Sequence, residues 1–227
     1  MLIFSWNCCL PPWSINRRKR IPKIISAIVA ISPDLVCLQE VFFKSDADSI
    51  IYGLKVHGFL DFFHFKDLLI VSKTKLLEKK EWIFRKQGGF FSLAVLDVLY
   101  GKGFQTVQFL NKGERFSLIN THLLSAYADD SQKYQSVRDS QSRELLEVSE
   151  KLLGDKKILV GDFNFQPATF PYRTLVESNF IDTTTKDNTT ATRHLDFIFL
   201  KNFLKGNAHI AFFDNSLSDH AALAISL

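Results

Sequence analysis

Eight side chains able to bind cations or move protons stand where apolar runs stop. Asn7 follows Leu2–Trp6, Glu40 follows Leu35–Gln39, and His122 closes Phe116–Thr121. Asp162 and Asn164 end the run that starts Lys156-Lys157-Ile158, Asp219-His220 precede Ala221–Leu227, and Asp196 lies inside the apolar stretch His194-Leu-Asp-Phe-Ile-Phe-Leu. Taken singly, each has an ordinary reading: a solvated strand end for Glu40, a turn cap for Asp219, a core histidine bonded to backbone for His122. A carboxylate and an amide ending a buried strand, as Asp162 and Asn164 do, cost several kcal/mol unless something pairs with them. If the strands assemble into a sandwich, these ends gather acids, amides and two histidines, and the carboxylates repel one another unless a cation offsets them. Hard oxygen ligands with no usable thiolate point to Mg²⁺ or Mn²⁺ rather than zinc. Asp162 and Asn164 are two apart, so strand alternation turns both to one side.

The elements that must position these residues alternate along the chain. Leu2–Trp6 reads as a strand, Ile21–Ile31 as an amphipathic helix, Leu35–Gln39 as a second strand and Ala47–Val56 as a weaker helix. Phe/Val-rich runs at Phe59–Phe65, Leu68–Ser72, Glu81–Arg85, Phe91–Leu99, Phe104–Leu110 and Phe116–Thr121 read as strands. Asp130–Leu153 is polar on one side with Leu145, Leu146, Val148 and Leu152 at helical spacing, and a short helix is expected near Tyr172–Ser178. Strand runs at Arg193–Leu200, Ala208–Phe213 and Ala221–Leu227 follow. Many strands with helices on each side predict a four-layer α/β sandwich of two packed sheets. Without repeat or Pro/Gly/Ser-rich linker, residues 1–227 read as one domain.

Composition narrows the class. The chain has 227 residues, 46% hydrophobic and 23% charged, which excludes disorder and coiled coil. It shows no apolar span of about 18 residues and no signal-peptide order, so a cytoplasmic, monomeric protein without a transmembrane segment is expected. Cys8, Cys9 and Cys37, an odd number with no zinc-knuckle spacing, argue against a disulfide framework and for a reducing compartment. A net charge of +4 favours an anionic substrate without marking a dedicated nucleic-acid binder. Arg17-Arg18-Lys19-Arg20 reads as a solvated helix start, or as a phosphate or headgroup patch.

Asn7 in SWN, Glu40 in LQEV, His122 in NTHL, Asp162 and Asn164 in GDFN, Asp196 in LDFIF and Asp219-His220 in SDHAAL stand in an order that resembles the endonuclease/exonuclease/phosphatase superfamily from end to end. The resemblance implies a DNase I-like fold and a metal-dependent phosphodiester hydrolase. Glu40 and Asn7 would hold a divalent ion, with Asp219 joining or supporting its shell. Asp162 would orient or activate the attacking water, while Asn164 and His122 contact the phosphate. Asp196 would fix the tautomer and charge of His220 beside the transition state.

Within the superfamily, nucleases and tyrosyl-DNA phosphodiesterases are similar in carrying an acid two residues after the first asparagine, where this chain has Cys9. Instead FSWNCCLPPW, the Tyr100-Gly101-Lys102-Gly103 segment and THLLSAYADDSQKYQSVRDSQSRELLE resemble neutral sphingomyelinases, with matches at Tyr127, Tyr134, Arg138, Gln141 and Glu144-Leu145. Tyr127 and Arg138 are thereby expected to bind substrate, with a phospholipid headgroup favoured. Trp13 and Phe42-Phe43 stand beside strand ends as candidate interfacial contacts, against core packing for most of the 22 phenylalanines. A DNA or RNA nuclease or DNA-end-processing enzyme, and a non-catalytic binding module, are the alternatives.

Overall fold

A computed structural model describes every residue except 15, 89–99 and 126–133. The Phe91–Leu99 run and Tyr127 therefore lie outside the described residues. Twelve strands form two six-stranded sheets among the described residues. The first contains β1 (Leu2–Leu10), β2 (Leu35–Val41), β3 (Asp61–Phe65), β4 (Leu68–Ser72), β11 (His209–Phe212) and β12 (Ala222–Ser226), ordered β11-β12-β1-β2-β4-β3. The second contains β5 (Glu78–Ile83), β6 (Gly103–Asn111), β7 (Glu114–His122), β8 (Lys156–Asp162), β9 (Ile181–Asp182) and β10 (Asp196–Lys201), ordered β5-β6-β7-β8-β10-β9.

Period-two alternation decides which side chains meet. Ile3, Leu35, Cys37 and Ile70 of the first sheet pack against Val107, Leu118, Ile158 and Ile198 of the second, forming the inner layer. The outer face of the first sheet, with Phe4, Trp6 and Val36, is covered by α1 (Arg17–Ile31) and α2 (Lys44–Lys55) through Ile24, Ile28, Ile50 and Leu54. On the opposite side Phe104, Ile119, Leu159 and Phe197 are covered by α3 (Gln135–Lys151) and α4 (Phe170–Val176) through Leu145, Val148 and Leu175. The result is the expected four-layer sandwich. At its middle the sheets are joined by a buried amide pair, Gln39 Nε2 donating to Asn120 Oδ1 at 2.7 Å.

The boundaries move where side chains compete with the pattern. α1 starts at Arg17, so the basic cluster is helical. Arg17 pairs with the buried Asp46 at 2.5 Å, and Arg20 donates to the carbonyls of Leu217 and Cys9 and to Ser14 Oγ. Half of that cluster is thus structural, leaving Arg18 and Lys19 exposed. Trp13 is 63% exposed beyond the end of β1, and Phe43, 38% exposed, follows β2, while Phe42 packs edge-on against Tyr100. None of the described helices is long and apolar enough to cross a membrane.

Candidate active site

The topology explains why residues from position 7 to 220 converge. Each sheet holds one parallel pair at its centre, β1 with β2 and β7 with β8. Their carboxyl ends carry Asn7, Glu40, His122 and Asp162. β12 runs antiparallel to β1 and β10 antiparallel to β8, so their amino ends bring His220 and Asp196 to the same edge. Register sharpens this: Asp162 stands opposite His122 on one side and opposite Asp196 on the other.

Backbone conformation finishes the placement. Gly161 has φ +140°, and a Cβ there would lie 1.9 Å from the Thr121 carbonyl oxygen, so only glycine lets β8 approach β7 just before Asp162. Glu40 (φ +59°) and Asn164 (φ +51°) occupy the left-handed region that side chains other than glycine seldom adopt. The strand-alternation argument for Asp162 and Asn164 is therefore corrected, because β8 ends at Asp162 and Asn164 lies in a turn. There its N–H donates to Asp162 Oδ1 at 2.9 Å and its Nδ2 donates to the Leu123 carbonyl at 3.2 Å. An Asx-type turn, not the pleat, brings the two together.

Asp162 Oδ2 is the hub. Asn7 Nδ2 donates to it at 3.0 Å and to Glu40 Oε1 at 3.2 Å, while Asn7 Oδ1 accepts from the Cys9 N–H. His122 Nε2 lies 3.5 Å away and His220 Nε2 3.8 Å away. His220 Nδ1 donates to Asp196 Oδ2 at 2.8 Å. Asp162, Asp196 and His220 each offer a ligand-type atom within 4.8 Å of the other two. A cleft of about 340 Å³ is lined by Glu40, His122, Asp162, Asn164, Asp219 and His220 among others. Asn7 stands behind it, and exposed Asp219 forms part of its rim beside the Cys9 thiol.

Two members of the cluster went unassigned in the sequence. Asp67, in the β3–β4 turn, accepts from His122 Nδ1 at 2.7 Å, and the buried Lys102 ammonium lies 2.9–3.0 Å from both ring nitrogens of His122. Lys102 was visible within the Tyr100–Gly103 segment, but Asp67 sits in an unremarkable Lys-Asp turn with no sequence signal. Arg138 is buried in α3 and donates to the carbonyls of Leu124 and Ser125 at 3.3 and 3.4 Å. It stands to the side of the cleft, bordering a smaller cavity next to Asn164.

The electrostatics follow from burial and pairing. Burial resists charge on His220, but Asp196 and Asp162 outweigh it and raise its pKa to about 10. Asp196 is itself pushed up, by burial first and by Asp162 after its attraction to His220 is counted. Burial opposes an ionised Asp67, yet Lys102 and His122 hold its carboxyl well below the usual range. Burial and Lys102 both disfavour the His122 imidazolium, which Asp67 and Asp162 nevertheless raise above its ordinary value. Burial pushes the Glu40 carboxyl up against the pull of His122, Lys102 and Asn7. Burial, Glu40 and Asp219 push the Cys9 thiol to about 12, leaving it protonated.

Known proteins resemble the chain in sequence or in fold. A Drosophila melanogaster protein named "Putative neutral sphingomyelinase" is 28% identical over 187 residues, covering 79% of this chain and 42% of that protein, so the chain spans less than half of that relative's length. Sphingomyelinase C from Streptomyces griseocarneus has the same fold, with a TM-score of 0.80, 16% identity, and 99% and 98% of the two chains covered. A Staphylococcus aureus beta toxin double mutant with bound magnesium ions superposes at TM-score 0.82 with 18% identity, covering 99% and 98%. The sequence profile described as "Endonuclease/Exonuclease/phosphatase family" matches residues 4–220, a span that contains every cleft residue named above. By that match, reaching from β1 to the histidine that closes the cleft, the chain belongs to the endonuclease/exonuclease/phosphatase family.

Proposed function

We propose that the protein is a divalent-metal-dependent phosphodiester hydrolase acting on a phospholipid headgroup. The observation carrying this reading is that Glu40, Asp162 and His220 share one cleft although they come from three separate strand ends. The donor set fits a hard cation: Glu40 and Asp162 are drawn together by one amide, Asp219 lies on the rim, and the nearest thiol is protonated. Glu40 would hold the ion, with Asn7 and Asp219 beside it. When bound, such an ion polarises the phosphoryl oxygens and offsets their growing charge.

The chain's own groups supply the rest. Asp162, oriented by the Asn164 N–H and by Asn7, presents a carboxylate oxygen able to accept a proton from an attacking water. His220, charged at neutral pH and held through Nδ1 by Asp196, directs Nε2 towards the same region, where it offsets phosphoryl charge or protonates the leaving oxygen. His122 is locked by Asp67 and Lys102, so its role is a fixed donor facing the phosphate.

Support for a lipid comes from Trp13 and Phe43, exposed next to the strand ends that bear Asn7 and Glu40, and from the Drosophila relative. The reading is tested by a panel of sphingomyelin, phosphatidylinositol, abasic DNA and bis(4-nitrophenyl) phosphate, with Mg²⁺, Mn²⁺ or chelator. Cleavage of a lipid headgroup that stops in chelator and in D162N is the expected result. Faster cleavage of abasic DNA than of any lipid would replace it with a nuclease, and no cleavage at all with a binding module.

A further inference from the structure

Beside the catalytic cleft lies a second cavity of about 90 Å³, and Asn164, Arg193 and Leu195 line both. Its polar lining consists of Gln135, Arg138, Asn164, Gln166, Thr169 and Arg193, completed by two apolar side chains. Among the described residues it contains two guanidiniums, three amides and a hydroxyl, and no carboxylate. A volume of that size holds about three waters, or one tetrahedral oxyanion. The geometry points to a subsite for a second phosphate, a phosphomonoester carried by the same substrate whose diester is cleaved next door.

The two arginines differ in a way that matters. Arg138 is buried and pinned to the carbonyls of Leu124 and Ser125, so it contributes fixed charge. Burial lowers its pKa to about 10, with Asp162 opposing and Arg193 adding to the fall, which shows the two guanidiniums feel each other. Two cations held close gain when an anion is placed between them. Arg193 is partly exposed, and among the described residues its guanidinium has no acid partner. Its backbone is nonetheless fixed. Thr190 Oγ1 donates to the Arg193 carbonyl at 2.9 Å and accepts its N–H at 3.0 Å, and the Thr189 carbonyl accepts from Ala221 N–H at 2.6 Å. The loop is thereby tied to the start of β12, which fixes where the Arg193 side chain leaves the backbone. Gln135 is also the first residue of the 17-residue α3, whose amino end adds potential of the same sign.

This subsite rests on the hydrolase reading and narrows it. A choline headgroup would bring a third cation towards two guanidiniums, whereas a phosphorylated headgroup or a nucleotide phosphate would bring the opposite charge. Both sources share one chemistry, a phosphomonoester dianion.

The first test needs no catalysis. In chelator the carboxylates of the catalytic cleft repel anions, so titration calorimetry with inorganic phosphate reports the side cavity. The expected result is one bound phosphate, weakened about tenfold or more in R193Q, partly restored in R193K and retained in H220N. Absence of binding in wild type, equal binding in R193Q whose melting temperature is unchanged, or loss in H220N in place of R193Q would each overturn the proposal.

The second test separates the sources. Initial rates with Mg²⁺ are compared for phosphatidylinositol against its 4-phosphate, and for thymidine 5′-(4-nitrophenyl phosphate) with and without a 3′-phosphate. A preference of about tenfold for the phosphorylated member of one pair, abolished by R193Q, is expected and names the source. Equal rates within both pairs would remove the subsite from substrate recognition even if diesters are cleaved. Phosphate binding without any diester cleavage would instead sink the hydrolase reading and leave a phosphate site.

Discussion

Replacing Gly161 by alanine links the fold to the chemistry in one measurement. The new Cβ would meet the Thr121 carbonyl oxygen at 1.9 Å, against the 3.0 Å below which real Cβ contacts do not go, so β7 and β8 must part by about 1.1 Å. Parallel ladder bonds that start near 2.9 Å do not survive such a stretch, and losing one or two costs about 1 kcal/mol each. Placing alanine at φ +140° adds roughly 1–3 kcal/mol of backbone strain. Together the destabilisation should be about 2–5 kcal/mol, read as a fall in the urea midpoint at unchanged slope. The clash sits one residue before the register pair His122 and Asp162, so a 1 Å displacement of Asp162 should also cost about 10²-fold in kcat/KM with bis(4-nitrophenyl) phosphate. Gly113 is the control: it too has positive φ, +83°, but a Cβ there meets nothing within 4 Å. G113A should lose only the strain, about 1 kcal/mol, with activity intact. If G161A unfolds within about 0.5 kcal/mol of wild type, the close approach of the two strands does not hold the site.

Other perturbations read other parts of the cluster. D67N leaves the Lys102 ammonium and the His122 imidazolium buried without their acid, and should destabilise by about 3–5 kcal/mol at pH 7 in urea unfolding. Because the Asp67 pKa is depressed in the folded state, its stabilisation is present above the unfolded value near 3.9 and is lost as pH falls towards the folded one. A wild type and D67N that converge on acidification would agree with this, and parallel curves would not. The His220 pKa is raised to about 10, so its contribution is complete below its unfolded value near 6.5 and fades as pH rises through about 10. In chelator, wild-type stability should therefore decline across that window, and D196N should flatten the decline. Finally, millimolar Mg²⁺ should raise the melting temperature of wild type and not of E40Q, since only an ion bound to the folded state stabilises it.

The sequence exposed most of the architecture because apolar runs with period two and period 3.6 are set by burial, and burial here is nearly complete. Leu35–Gln39 and Leu68–Ser72 read as strands for that reason. Edges were read less well. Glu81–Arg85 was expected where Glu78–Ile83 forms β5, whose residues are mostly exposed and follow hydrogen bonds to β6 rather than a buried face. Glu40, Asp162 and His220 were legible because each interrupts or ends an apolar run. Asp67 was not, since a charged residue in a two-residue turn is the commonest thing a turn contains. Arg193 was likewise hidden at the edge of an expected strand, and only the fold shows that it borders two cavities.

The cluster has an internal asymmetry that bears on which imidazole works. Asp162 is flanked by two histidines at 3.5 and 3.8 Å, each backed by its own buried acid, Asp67 at 2.7 Å and Asp196 at 2.8 Å. Near-duplicate arms would be expected to behave alike, but Lys102 stands on one of them only. On the His122 side the ammonium competes for Asp67 and repels an added proton, so that arm is a closed ion cluster with its ring 1% exposed. On the His220 side no second cation stands on the acid among the described residues, and although both histidines line the cleft, His220 is the more exposed of the two, at 8%. A proton on His220 is thus both well held and within reach of a substrate, whereas one on His122 is held among charges that cannot move. The same comparison shows where a bound cation would act. Glu40 accepts from the Asn7 amide, and burial pushes its carboxyl up against the pull of His122, Lys102 and Asn7, so a cation on that side would offset the cost of its charge.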